Sequence, residues 1–125
     1  MTVGNMLGLA LATALLTTGA QAQLEGSYAG RGEGILSAVV KRAPGSASAY
    51  VVVLKTRART CTGEVSGRAL LQNGVLVLRA KTDPPAGCTI RIQARRSTLE
   101  VNEVEGCLYF HGVSCGFSGN LRRRP

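Results

Sequence analysis

The segment Cys88-Thr-Ile-Arg-Ile-Gln-Ala-Arg95 constrains the fold more than any other part of the chain. Read as an extended strand, it places Cys88, Ile90, Ile92 and Ala94 on one face and Thr89, Arg91, Gln93 and Arg95 on the other. Strict alternation with period two describes a strand with one buried and one wet face. Leu99 and Val101, set against Glu100 and Asn102, repeat the pattern after a short turn at Arg96-Ser97, so the two segments read as a hairpin. A second hairpin is marked by Asn73-Gly74 between runs at 68–72 and 75–81, because both central positions of a type I′ turn need positive φ.

Similar punctuation recurs along the rest of the chain. Aliphatic and β-branched runs at 35–42 and 50–57 flank the loop Ala43-Pro-Gly-Ser-Ala-Ser48. Asp83-Pro-Pro-Ala-Gly87 reads as a connector outside any strand, since two prolines remove two ladder donors. Gly26-Ser-Tyr-Ala-Gly30 and Phe117-Ser-Gly-Asn-Leu121 read as short end strands, and neither a helical period nor an internal repeat is present. The predicted fold is therefore all-β: a single small antiparallel meander barrel of about eight strands, closed by pairing of the first with the last, with a β-sandwich as the alternative. Aromatic residues make up only 4% of the chain, so the expected core is filled by Val, Leu and Ile and leans on disulfides.

Residues 1–22 read as a signal peptide. They carry no charged side chain, contain an apolar run from Met6 to Leu16, and end in Ala20-Gln21-Ala22, the small-x-small pattern of a cleavage site. The run is shorter than the roughly 20 apolar residues a spanning helix needs. Cleavage after Ala22 leaves 23–125 as a single all-β domain, soluble, without a transmembrane segment, and periplasmic or secreted. In such a compartment the four cysteines, Cys61, Cys88, Cys107 and Cys115, are expected in disulfides.

Two of them fall in "GCLYFHGVSCGF", residues 106–117, which also holds the only histidine, His111, and both phenylalanines. A zinc site built on Cys107, His111 and Cys115 would lack the closely spaced ligand pairs of structural zinc and would require thiols in an oxidising compartment. No metal or other cofactor is expected. The reading preferred here is a clasp: an extended run over 108–110, a turn beginning at His111-Gly112, and Cys115 returning to Cys107. Cys61 then pairs with Cys88; the second choice is Cys61 with Cys107 and Cys88 with Cys115.

Support for an enzyme is thin. His111 and Asp83 are the only residues of their kinds, Asp83 lies in the Pro-Pro connector, and only Ser114 stands near His111 as a nucleophile. Glu100, Glu103 and Glu105 read as surface carboxylates, Glu100 in an ion pair with the adjacent strand. Gly30-Arg-Gly-Glu-Gly34 lacks the Lys-Ser/Thr and following helix of a phosphate loop.

The basic residues say more. Formal net charge is +8, and none of it comes from residues 1–22. Lys55 and Arg57, Arg79 and Lys81, and Arg91 and Arg95 each share a face of a predicted strand, and the chain ends Arg122-Arg-Arg-Pro125. With strands about 4.8 Å apart, these rows are expected to merge into one cationic face that binds an anionic envelope component. Nucleic acid is not expected, because exposed aromatics for base stacking are scarce. The sequence leaves a protein partner as the other option.

Gly26-Ser-Tyr28, Cys61-x-Gly63, Cys88-Thr-Ile-Arg-Ile92 and the closing Gly106-Cys107, Tyr109, His111-Gly112, Phe117 and Gly119 together resemble small exported bacterial β-barrels stapled by disulfides, including the periplasmic lysozyme-inhibitor-like group. The resemblance implies a disulfide-stapled barrel and, as an alternative function, inhibition of a lysozyme-like or other secreted hydrolase. The serine and lysine that such inhibitors insert into an enzyme cleft have no counterpart here. A +8 chain would also be repelled by the strongly basic chicken-type lysozymes.

Overall fold

Eight antiparallel strands follow one another around a closed barrel in the computed structural model, which describes residues 24–81 and 87–125. The expected signal segment 1–22 and residues 82–86 of the Pro-Pro connector lie outside the described residues. The strands are β1 (Gly26–Gly32), β2 (Ile35–Arg42), β3 (Ala49–Ala58), β4 (Cys61–Gln72), β5 (Val75–Lys81), β6 (Gly87–Ala94), β7 (Thr98–Glu105) and β8 (Gly119–Arg123). Each pairs with its neighbours in sequence, and β8 returns to β1 with Gly30 opposite Leu121 and Ala29 opposite Arg122. The expected meander and closure are both present, and β6 buries Cys88, Ile90 and Ile92 as the alternation requires. Asn73 and Gly74 take φ of 53° and 80°, the left-handed values of the expected tight turn.

β4 is much longer than the 68–72 segment legible in the sequence. Gly63 and Gly67 fall among its inward positions and hide the alternation of Cys61, Val65 and Ala69. Gly63 is glycine because another backbone passes over it: a Cβ there would overlap the Cβ of His111 and lie 2.7 Å from the carbonyl oxygen of Phe110.

The core corrects the expectation of an interior made only of aliphatic side chains. Tyr28, Tyr50 and Phe117 are the largest fully buried side chains, packed with Leu76, Leu78, Ile90, Ile92, Leu99 and Leu121. Tyr28 joins the first and last strands at the seam. Its hydroxyl donates to the Leu24 carbonyl at 2.8 Å and accepts from Arg123 Nη2 at 2.8 Å. Burial pushes the Tyr28 hydroxyl above the ordinary tyrosine value, and the Arg123 charge and hydrogen bond only partly oppose this.

An up-and-down barrel has two rims. The β2–β3, β4–β5 and β6–β7 turns lie on one, together with the start of β1 and the end of β8. The other carries the β1–β2 and β3–β4 connections, the end of β5, the start of β6 and the β7–β8 connection, residues 106–118, which folds over it as a lid. Both disulfides lie on the lid rim, and their pairing differs from both expectations: Cys61 bonds Cys115, and Cys88 bonds Cys107. The physical reason is the path of the lid. Residues 108–110 form a turn rather than an extended run, with Phe110 N–H donating to the Cys107 carbonyl at 2.8 Å. The chain then crosses to β4, where His111 forms an isolated bridge with Gly63 and Glu64 N–H donates to the Phe110 carbonyl at 2.9 Å. Cys115 is thereby delivered to the start of β4, and Cys107, just past β7, sits beside the start of β6.

Candidate functional site

The outer faces of β8, β1, β2, β3 and β4 carry two parallel rows of side chains. Register places Arg122, Ala29, Ser37, Lys55 and Glu64 side by side in one row. The row nearer the lid runs Asn120, Arg31, Ile35, Arg57 and Thr62. Small residues, Ala29 and Ser37, thus stand between long cationic ones, and a groove of about 670 Å³ opens over them, lined also by Ile35, Lys55, Arg57, Glu64, Phe110 and Arg124. None of Arg31, Lys55, Arg57, Arg122 or Arg124 forms an ion pair among the described residues. Glu64, opposite Lys55, is the one carboxylate in these rows. Uncompensated guanidinium and ammonium groups around a concave floor raise the local concentration of anions, and guanidinium forks suit phosphate or carboxylate oxygens.

Of the six residues expected on one cationic face, Lys55 and Arg57 line this groove. Arg79, Lys81 and Arg91 belong to another wall of the barrel, with Arg79 opposite Thr89, Lys81 opposite Gly87 and Arg91 opposite Val77 and Asn102. β4 separates the two walls, and Arg95 sits in the β6–β7 turn on the opposite rim, its N–H donating to the Thr98 carbonyl at 3.0 Å. The six therefore do not line up as one stripe. Arg124 also lines the groove. Arg122 and Arg124 are brought to this side because barrel closure sets the last strand against the first, and Arg31 joins it through the β1–β2 pairing with Ile35. Arg123, between them, points inward and stacks over Tyr28 at 5.3 Å from the ring centroid. Glu100 faces Gln93 and Asn120 rather than a cation, which corrects its expected ion pair.

Beside the groove, the lid is held by polar contacts as well as by sulfur. Glu103 Oε1 accepts the Phe117 N–H at 2.7 Å, Glu33 Oε1 accepts the Ser118 N–H at 3.4 Å, and Ser118 Oγ accepts the Glu103 N–H at 2.9 Å. His111 Nε2 lies 2.8 Å from Glu103 Oε1, an ion-pair distance at an angle that makes no hydrogen bond, and Nδ1 lies 2.6 Å from the Gly112 carbonyl oxygen. The imidazole meets the Phe117 ring edge-on at 5.1 Å. His111 is thus a lid residue bridged to β4 with its side chain turned inward, where it was expected to begin a turn. Glu103 and Glu33, expected on the surface or not singled out, act as lid anchors. All four thiols that a cysteine–histidine metal site would draw on are consumed in disulfides.

No protein-family model, curated protein or solved structure matches this chain. The two disulfides fit an oxidising environment, and no helix among the described residues is long and apolar enough to cross a membrane.

Proposed function

We propose that this chain is a non-enzymatic, exported β-barrel protein that binds an anionic component of the cell envelope through the groove face of β8–β1–β2–β3. The observation that carries the reading is a groove floored by small residues and lined by Lys55, Arg57 and Arg124, with Arg31 and Arg122 in the adjoining rows, none of the five ion-paired among the described residues, and Glu64 the one carboxylate in the lining. The uncharged, apolar N-terminal segment supports export to the periplasm or beyond. The one histidine is held between Glu103, the Gly112 carbonyl and the Phe117 ring with its side chain only 6% exposed, which supports a structural role for it.

The test is binding of the oxidised protein to long-chain inorganic polyphosphate and to lipopolysaccharide across a salt series. Electrostatic recognition by several cations predicts affinity that falls steeply as salt rises. The double variant Lys55→Glu, Arg57→Glu is expected to lose at least tenfold in affinity, whereas Arg79→Glu on the other wall loses far less. Binding that ignores salt, or that falls equally in both variants, would overturn the assignment.

A further inference from the structure

Phe110 lines the cationic groove, and three other lid residues, Leu108, Tyr109 and Val113, expose large hydrophobic side chains. Leu108 is 63% exposed, Tyr109 65% and Val113 90%, and Val104 at the end of β7 is 53% exposed. Single exposed aliphatic residues are ordinary, but a contiguous apolar projection on a small barrel marks a contact surface. This one is rigid. Cys107 and Cys115 bracket the projection and tie it to β6 and β4, which reduces the chain entropy lost on binding a partner.

From the continuity of this projection with the groove, we infer that the lid docks on an anionic lipid bilayer, inserting Leu108, Tyr109 and Val113 among the headgroups and upper acyl chains while Arg57 and Lys55 hold the phosphates. Charge and composition favour a bilayer over other occupants. Leucine and valine supply aliphatic insertion, tyrosine suits the interface with its apolar ring and polar tip, and cations beside an apolar tip are the pattern of peripheral membrane binding. Arg59, in the turn before Cys61, adds a cation next to the anchored lid. Of the rim's glutamates, Glu33 and Glu103 are turned onto the lid's own amides, while Glu105 and, in the groove, Glu64 remain to oppose the surface. The net charge of +8 outweighs these two.

This inference rests on the proposed anion-binding face, and the chain offers a clean probe because it contains no tryptophan. Val113→Trp in the oxidised full-length protein is mixed with vesicles of equimolar phosphatidylcholine and phosphatidylglycerol, and with phosphatidylcholine vesicles alone. The expected result is a blue-shifted emission protected from aqueous quencher on the anionic vesicles only. Leu108→Asp and Val113→Asp should each lower vesicle partitioning roughly tenfold, the worth of burying one aliphatic side chain, while polyphosphate binding stays unchanged. Vesicle binding without a blue shift, or partitioning unaffected by Leu108→Asp, overturns insertion and leaves the groove reading intact. Loss of both vesicle and polyphosphate binding in the unmodified chain overturns the groove reading itself. A blue shift produced by a soluble secreted hydrolase, with none on vesicles, would assign the tip to a protein partner and also overturn the proposal.

Discussion

Cys107 and Cys115 are close neighbours in sequence but belong to different disulfides, one running to Cys88 and the other to Cys61. The lid is therefore fastened at two points on the rim and is not clipped to itself. Loop-entropy estimates give about 4 kcal/mol for the 54-residue separation of Cys61–Cys115 and about 3 kcal/mol for the 19-residue separation of Cys88–Cys107, each taken alone. Replacing Cys61 and Cys115 together by Ser is expected to lower the urea midpoint more than replacing Cys88 and Cys107. Peptide mapping without reduction should recover 61–115 and 88–107 linked peptides, and a 107–115 link would contradict the structure.

The Tyr28 hydroxyl predicts an alkaline limit. Its folded-state value is raised above 10.0, so the folded chain holds that proton more tightly than the unfolded chain does. The stability this contributes is complete below pH 10.0 and is lost as pH climbs through the raised value. Tyr28→Phe should cost about 1 kcal/mol at neutral pH through its lost hydrogen bonds, yet show a flatter decline above that point. Chemical denaturation of both proteins across the alkaline range is the measurement.

Gly63 tests the lid crossing. With a side chain added, the overlap is with the Cβ of His111 and the carbonyl of Phe110, and both are fixed by the bridge to β4. Gly63→Ala is expected to destabilise by roughly 2 kcal/mol or more through overpacking. Amide exchange at Glu64 and Gly112 should accelerate, while exchange in β6 changes little.

Thr56 offers a substitution of opposite sign. Its hydroxyl is buried and has no hydrogen-bond partner among the described residues, and an unpaired buried hydroxyl costs on the order of 1–3 kcal/mol. Thr56→Val keeps the shape and removes the polar atom, so a raised melting temperature is expected. A fall of several degrees would show that the oxygen contributes to the fold.

Glu103 supplies the remaining prediction. Glu103→Ala leaves the buried Phe117 N–H without its acceptor and removes the carboxylate beside His111. A cost of about 1–3 kcal/mol is expected, with faster amide exchange at Phe117 and Ser118. Glu103→Gln, which retains an acceptor oxygen, should recover most of the Phe117 protection.

Local rules carried most of the architecture. The alternation from Cys88 to Ala94, the Asn73-Gly74 turn and the glycine-marked end strands are written in neighbouring residues, and strand pairing along a meander follows from them. Disulfide pairing was not legible, because it depends on where the 106–118 segment travels after β7 and no local pattern encodes that path. Gly63 was the available clue, an inward strand position without a side chain. The groove was half legible: Lys55 and Arg57 were visible as a pair on one strand. Arg31 joins its row through the β1–β2 pairing with Ile35, whereas Arg122 joins only through pairing across the barrel seam, which links residues from opposite ends of the chain.

The disulfides also divide the molecule into unequal halves. The 88–107 ring is nested inside the 61–115 ring, and together they enclose β4 to β7 and the lid. β1, β2 and β3, like β8, lie outside both rings and are retained by ladder hydrogen bonds, by packing against β4 and β8, and by side-chain contacts such as Glu33 with Ser118 and Tyr28 with Arg123. Those three strands carry Arg31, Lys55 and Arg57. An oxidised molecule can therefore peel away the strands that build its cationic groove while its apolar tip stays riveted in place, so thermal damage should abolish anion capture before it disorders the lid.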